Sequence, residues 1–452
     1  MADTIFALAS APGRAAVAVV RLSGPAARQA LATLTGEAAV VGRGMGVRWL
    51  RRPDDGAVLD EALVLAFPGP GSYTGEDVVE LQLHGGPAVV DGVTEALLAL
   101  GLRLAAPGEF TRRAFENGRL DLSQAEAIGD LVDAETAAQR RQALAQLDGE
   151  LARRHAGWRE ALVEALVVLE AAVDFPDEDL PADVAGAAAP LVASVGAEIA
   201  GALADGARGE RVREGFRVAL IGAPNAGKSS IFNKLAARDA AIVTPTPGTT
   251  RDVIEVAVNL AGYRVVVADT AGLREARSAV EAEGVRRAEA WSADADLRLL
   301  VVDATDRGDR WRGAARLARP GDICLINKRD LAPAPAASEP VAWAGAHGLT
   351  ALDVAATAGL GLERLRAEIT AVVVGALGGG EFPAATHERH RRDLGAALGH
   401  LRRAEAALSA PVEVELAAED VRLAARCLAR VSGRVDPEDV LDRVFARFCI
   451  GK

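Results

Sequence analysis

The chain has 452 residues, half of them apolar and a quarter charged, with 63 acidic against 51 basic side chains and a formal net charge of −12. At roughly 150 residues per domain this length implies about three domains, and the acidic balance excludes a protein that coats nucleic acid through bulk charge, so an RNA partner would have to meet a local basic patch. No uncharged run reaches the roughly 18 residues that a membrane-spanning helix needs, the N-terminus MADTIFALAS lacks the basic stretch of a signal peptide, and Cys324, Cys427 and Cys449 have neither zinc-like spacing nor the makings of a disulfide framework. The expectation is a soluble cytoplasmic protein with no membrane partner.

Residues 1–118 mix β-like runs at 15–22, 62–67 and 78–83 with the turns FPGPGSYTG and HGGP, which predicts a mixed α/β domain. From Ser123 the pattern changes. Apolar residues such as Leu144, Leu147, Leu151, Trp158, Leu162 and Leu166 recur every three to four positions, which predicts amphipathic helices as far as about Arg213, with a pause at DFPDEDLP. At Phe216 strands begin to alternate with helices, at 218–221, 253–260, 263–268, 297–302 and 323–326, so a largely parallel sheet is expected, with one antiparallel edge made by a hairpin turning at Ala261-Gly262. Helices return at 387–408, 419–431 and 437–448. The fold class is therefore α/β plus α: an N-terminal α/β domain (1–118), a helical domain in two parts (119–214 and 378–452), and an inserted α/β domain (215–377).

Only four of the basic residues are lysine: Lys228, Lys234, Lys328 and Lys452. A composition that writes arginine for generic surface cations makes each remaining lysine a candidate for a site needing a compact ammonium. Two of them lie in motifs. Gly222-Ala-Pro-Asn-Ala-Gly227-Lys228-Ser229 fits GxxxxGK[ST] between a strand and a helix, a loop whose amides wrap phosphates while the lysine reaches the β- and γ-phosphates and the serine ligates Mg²⁺. Gly248-Thr249-Thr250-Arg251-Asp252 supplies Thr250 as a second Mg²⁺ ligand and γ-phosphate sensor, and Asp269-Thr270-Ala271-Gly272 sets a carboxylate near the metal. Asn327-Lys328-Arg329-Asp330 fits NKxD, whose aspartate accepts the N1–H and N2–H₂ donors that guanine has and adenine lacks. Four segments in this order on the right elements predict a GTPase. The GTP-binding set comprises Asn225, Ala226, Gly227, Lys228, Ser229 and Ser230, then Thr244, Pro245, Thr246, Pro247, Gly248, Thr249 and Thr250, then Asp269, Thr270, Ala271 and Gly272, then Asn327, Lys328 and Asp330.

Leu273 stands where many GTPases carry a water-orienting glutamine. Asn225 and the loop TPTPGTT can together cage a monovalent cation in place of an arginine finger, and Glu281 is a candidate for positioning the water, although spacing alone favours a solvated glutamate there. Val354-Ala-Ala-Thr357 departs from the SAK-like guanine loop, which leaves that contact to the backbone. A basic stretch at 387–403, HERHRRDLGAALGHLRR, is either a tRNA-phosphate contact or a solvated helix face.

GAPNAGKSS, GTTRD, DTAGLREA and the terminal FCIGK, together with SYTGEDVVELQLHGG and RRAFENGRLDLSQAEAIGDLVDA, closely resemble the tRNA-modification GTPases called MnmE or TrmE, over essentially the whole chain. The resemblance implies a folate-binding-like N-terminal dimerisation domain, a discontinuous helical domain and an inserted Ras-like P-loop G domain. It further implies a homodimer whose GTP hydrolysis depends on K⁺ and on pairing of the G domains. Asn225, Thr244, Thr246 and Thr249 would form the K⁺ site, Ser229 and Thr250 would bind Mg²⁺, and Glu281 would orient the water, with Thr250 and Lys228 beside it in catalysis. The implied reaction adds an aminomethyl or carboxymethylaminomethyl group at C5 of the wobble uridine of certain tRNAs. The flavin-dependent partner MnmG (GidA) takes part in a heterotetramer or larger complex, and a 5-formyl- or 5,10-methylene-tetrahydrofolate supplies the carbon, held by Arg21, Glu80, Arg119 and Lys452. Cys449 resembles the family's near-terminal cysteine, but its apolar neighbours favour a buried thiol. The rival reading is a regulatory GTPase switch in ribosome or ribonucleoprotein assembly.

Overall fold

The computed structural model describes residues 3–37, 42–174, 185–205, 207–239, 254–269, 290–306, 308–332, 339–379, 381–409, 414–433, 435, 441, 444–446, 448 and 451. The chain divides into two compact units, one comprising Met1–Val132, Gln146–Ile199 and Arg392–Lys452, the other Asp133–Ala145 and Ala200–Arg391.

The first unit is built on a sheet of β1 (Ile5–Leu8), β2 (Val17–Ser23), β3 (Gly44–Arg51), β4 (Val58–Phe67), β5 (Val78–His84) and β6 (Arg103–Leu104), in the order β3-β4-β5-β2-β1-β6. Only β6 runs parallel to its neighbour. Alternation along β2 and β5 sets Ala18, Val20 and Leu22 opposite Leu83, Leu81 and Val79 on one face. There they pack with Leu31 and Leu34 of the helix Ala27–Thr35 and with Val93 and Leu97 of the helix Pro87–Ala99. The same alternation turns Arg21 and Glu80, also paired in register, to the opposite face. The sequence pattern indicates β2, β4 and β5 but not β1, β3 or β6. β3 reads GMGVRWLR, an edge strand with two glycines and with Met45, Val47 and Trp49 exposed, so burial imprints no clear hydrophobic period on it.

A polar network closes the Arg21 side. Arg113, on the helix Glu109–Glu116, donates to the Asp3 carbonyl at 2.9 Å and carboxylate at 2.6 Å, to Glu76 at 3.1 Å and to Glu109 at 3.1 Å. Arg103 bonds Asp3 and Glu109 as well, and against some burial these two guanidinia hold the Asp3 carboxyl down to about 2. In the helical part, Glu150–Asp174 packs along Val414–Val431, and Leu122 and Ala125 meet Leu441 and Phe445. The stretch Gly186–Glu214 is long and apolar enough to cross a membrane by length and composition alone. Within it Val192, Val195 and Ile199 are buried, and Glu198 accepts the Trp158 indole N–H at 2.8 Å. The end of the chain returns to the sheet: a Cβ on Gly451 would stand 2.3 Å from the Leu8 carbonyl oxygen.

The second unit holds β7 (Phe216–Gly222), β8 (Ile254–Leu260), β9 (Tyr263–Asp269), β10 (Leu297–Asp303), β11 (Ile323–Asn327) and β12 (Thr350–Asp353), in the order β12-β11-β10-β7-β9-β8. All pairings are parallel except β8 with β9, the edge hairpin expected at Ala261-Gly262. Ala261 (φ 51°) and Gly262 (φ 85°) are both left-handed there, as a two-residue hairpin turn requires. One face of the sheet is covered by Leu365, Ile369 and Val373 of the helix Leu362–Leu377 and by Ile231 and Leu235 of the helix Lys228–Asp239, the other by Trp311, Ala315 and Ala344. β12, only four residues long, escapes the sequence pattern. The carboxyl ends of β7, β9, β10 and β11 bring Gly222, Asp269, Asp303 and Asn327 to one rim, where open α/β sheets bind ligands.

Arg113→Ala removes the arginine paired with Glu76 and one of the two paired with Glu109, and the expected loss of stability is about 3–5 kcal/mol, read as a lower urea midpoint. Arg112→Ala, which breaks an exposed pair with Glu116, should cost no more than about 1 kcal/mol in the same titration.

Candidate nucleotide-binding site

The loop after β7 is shaped by close backbone approach. Gly222 (φ +150°) has the Val301 carbonyl oxygen 2.3 Å from where a Cβ would sit, and at Gly227 (φ +100°) that position is 2.1 Å from Asn327 Nδ2, so neither tolerates a side chain. Asn225 is left-handed (φ 62°), a conformation asparagine adopts more readily than most residues. The helix Lys228–Asp239 then starts, directing its first amides back at the loop as an anion site. Lys228 is buried, its ammonium donating to the Gly222 carbonyl at 2.8 Å and the Ala223 carbonyl at 2.9 Å. A compact ammonium fits between two carbonyls five and six residues back, where a planar guanidinium would not.

Ser229 donates its hydroxyl to Asp269 Oδ2 at 2.6 Å. Asp269 is only 5 % exposed and its other oxygen, Oδ1, has no hydrogen-bond partner among the described residues. A buried carboxylate oxygen left unmatched beside a hydroxyl is costly without a cation, and hard oxygen donors of this kind suit Mg²⁺. Ser230, the next residue of the same turn, is exposed.

Asn327, 2 % exposed, donates from Nδ2 to the Ala226 carbonyl at 2.8 Å and accepts the Ala356 N–H on Oδ1 at 3.1 Å. The segment Val354–Thr357, which lacks the expected serine and lysine, thus contributes a backbone amide, and it is spent on Asn327. Lys328 is left-handed (φ 62°), and its ammonium meets Asp303 Oδ2 at 2.6 Å. Burial raises the Asp303 carboxyl, but Lys328 and the hydroxyl and amide of Thr305 outweigh it and hold its pKa below the usual carboxylate range. Arg329 pairs with Asp353 at 3.0 Å, and Asp330 is exposed. Asp303 and Thr305 are absent from the residues expected from motifs. The available signal was that Asp303 ends β10 in register with Asn327, a pairing visible only once the strands are aligned.

Thr244, Pro245, Thr246, Pro247, Gly248, Thr249, Thr250, Thr270, Ala271, Gly272, Glu281, Cys449 and Lys452 lie outside the described residues. In the first unit, Arg21 Nε and Nη2 both reach Glu80 Oε1 at 2.9 Å, and the guanidinium lies 5.2 Å from the Tyr73 ring centre and 5.7 Å from that of Phe110. Arg119 is exposed, its stem 3.4 Å from the Cβ position of Gly75. Lys234 is exposed and borders a cavity of about 280 Å³ with Leu235, Glu363 and Arg366. Much of the basic stretch is already engaged: Arg391 bonds Glu210 at 2.8 Å, and Arg403 and His400 share Asp420 at 2.7 Å.

Comparison with known proteins gives a consistent result. The family model described as GTP-binding protein TrmE N-terminus matches residues 4–119, and the one described as MnmE helical domain matches residues 122–449. The tRNA modification GTPase MnmE of Phenylobacterium zucineum (strain HLK1) is 58 % identical over 452 residues, covering all of both chains. The protein of the same name from Caulobacter vibrioides (strain ATCC 19089 / CIP 103742 / CB 15) is 58 % identical over 455 residues, and that from Parvibaculum lavamentivorans (strain DS-1 / DSM 13023 / NCIMB 13966) is 51 % identical over 451, again with complete coverage of both chains.

Gly227→Ala drives a methyl into Asn327 and strains a positive φ, so GDP affinity should fall by about tenfold or more. Equilibrium titration with a fluorescent GDP analogue checks this; unchanged affinity would mean that the loop absorbs the methyl.

Proposed function

Because the chain belongs to the MnmE family of tRNA-modification GTPases, we propose that it couples GTP hydrolysis to the addition of an aminomethyl or carboxymethylaminomethyl group at C5 of the wobble uridine of certain tRNAs. In this reading the reaction is shared with the flavin-dependent partner MnmG, and a tetrahydrofolate derivative donates the carbon. The observation that carries the GTPase part is the single cradle formed by Gly222–Ser229, Asp269 and the Asn327–Asp330 turn, tied together by Asn327.

In this proposal the geometry supports the roles of the phosphate loop and of Asp269, and the family resemblance those of Thr244, Thr246, Thr249, Thr250 and Glu281. The amides opening the helix Lys228–Asp239, with the Lys228 ammonium, bind the β- and γ-phosphates, and Asp330 accepts the guanine N1–H and N2–H₂. Ser229 and Thr250 hold Mg²⁺, with the unmatched Asp269 carboxylate beside them; the ion when bound neutralises charge developing on the phosphates. Glu281 orients the attacking water, since Leu273 has no group to do so. Asn225, Thr244, Thr246 and Thr249 hold K⁺ when two G domains of a homodimer pair.

For the folate, the support is the chemistry of the Arg21 cluster. Glu80 receives both arginine contacts on one oxygen, leaving Oε2 for the N–H donors of a pterin, and Tyr73 and Phe110 add aromatic faces. Arg119 and Lys452 supply cations for the glutamate tail; Gly451, the residue before Lys452, abuts Leu8 at the end of β1. Residues 1–118 then form the folate-binding-like dimerisation domain, 119–214 and 378–452 the helical domain and 215–377 the G domain.

Nucleoside analysis by mass spectrometry of tRNA from a deletion strain should show loss of the C5 modification, restored by the wild-type chain and not by Lys228→Ala. Intact modification in the deletion strain would overturn the proposal. GTP turnover is expected to be faster in KCl than in NaCl at equal ionic strength, and equal rates would remove the K⁺ site.

A further inference from the structure

In the turn Asn327-Lys328-Arg329-Asp330, the carboxylate that would read guanine is flanked by two cations of its own chain. An ammonium on a four-carbon stem two residues from Asp330 has the reach and the charge to pair with it, and every such pairing would occupy the oxygens that guanine needs. The turn is tight, with the Leu331 amide donating to the Lys328 carbonyl at 3.0 Å, so the stretch from Lys328 to Asp330 stays within one turn.

Both cations are instead held by other carboxylates. Lys328 Nζ is 2.6 Å from Asp303 Oδ2, and Arg329 Nε is 3.0 Å from Asp353 Oδ1. Asp330 is exposed and pairs with no cation among the described residues. The Asp303 contact is the better built of the two. Its Oδ1 accepts the Thr305 amide at 2.9 Å and hydroxyl at 2.7 Å, which fixes the carboxylate with Oδ2 turned to the lysine. Its backbone is placed by the parallel ladder in which Asp303 stands opposite Asn327 and the Ala304 amide donates to the Asn327 carbonyl at 2.9 Å. Asp353, by contrast, is 60 % exposed, so its hold on Arg329 is weaker.

We propose that Asp303 is a positioning residue for guanine selection, which captures the Lys328 ammonium and thereby keeps Asp330 open to the base. The inference rests on the reading of Asp330 as the guanine acceptor. Removing the Asp303 charge releases the lysine to Asp330, and the discrimination that depends on the guanine 2-amino group falls.

The test is equilibrium competition of GDP, IDP and ADP against a fluorescent GDP analogue, with the full chain. Asp303→Asn should lower the preference for GDP over IDP by about fivefold, the scale of an exposed competing ion pair. In Asp303→Asn combined with Lys328→Met the absolute affinity shifts, since Lys328 itself belongs to the nucleotide site, but the GDP-to-IDP ratio should recover, because no ammonium is left to occupy Asp330. An unchanged preference in Asp303→Asn, or a double variant as unselective as the single, overturns the proposal. If Asp303→Asn does not fold, Thr305→Ala loosens the same carboxylate without touching Lys328; it should shift the preference in the same direction, and no shift overturns the proposal. Wild-type chain binding ADP as tightly as GDP overturns the guanine reading itself, and the inference with it.

Discussion

One carboxamide joins the two ends of the nucleotide cradle. Asn327 reaches from the end of β11 to the Ala226 carbonyl of the phosphate loop and to the Ala356 amide of the loop after β12. Its burial forbids water from substituting for either bond, so three loops otherwise free to move separately share one geometry. Gly227 is the counterpart of this constraint: the loop passes so close to Asn327 that no Cβ fits. The phosphate loop and the Asn327–Asp330 turn are therefore tied to each other, and the exposed hydroxyl of Ser229 and carboxylate of Asp330 lie beside residues buried behind them.

Charge is organised in the same spirit. Arginine, the default cation of this chain, builds multi-partner networks wherever a planar fork meets several acceptors. Arg113 bonds three acidic residues and a carbonyl; Arg298 and Arg319, at 2.9 and 3.0 Å, both cap the Ala293 carbonyl, while Asp322 holds their backbone amides at 2.9 and 2.6 Å. Burial raises the Asp322 carboxyl and lowers Arg298, so that pair specifies geometry more than it adds stability. The two lysines of the cradle make short, local contacts instead, Lys228 on two carbonyls of the phosphate loop and Lys328 on Asp303. The other two lysines differ: Lys234 is an exposed helix residue bordering a small cavity, and Lys452 ends the chain beside a glycine packed on β1.

The strongly periodic elements were legible from residues alone. Val-rich runs alternating with helices predict the parallel sheet of the second unit, and Ala261-Gly262 predicts its one antiparallel edge, because period and turn chemistry are properties of neighbouring residues. β1, β3, β6 and β12 were not legible; they are short, or glycine-containing and exposed along one side, and pairing rather than local preference makes them strands. The basic stretch on the helix Glu388–Leu408 shows the same limit. Its arginines form one run in sequence, yet Arg391 and Arg403 are engaged by Glu210 and Asp420.

By itself the sequence determined the order of motifs along the chain: a GxxxxGKS loop on a strand-to-helix turn, a carboxylate at the end of β9, an NKxD turn at the end of β11, and the blocks shared with its family. Those are short-range patterns, carried by backbone conformation and residue type within a few positions. Tertiary structure alone decided which partner each charged group takes. Asp303 meets Lys328, 25 residues away, because β10 and β11 pair in register; Asn327 reaches Ala226 across the sheet; Gly451 closes on Leu8. A hydrogen bond depends on distances of a few tenths of an ångström, and across many residues such distances are set by strand order and packing.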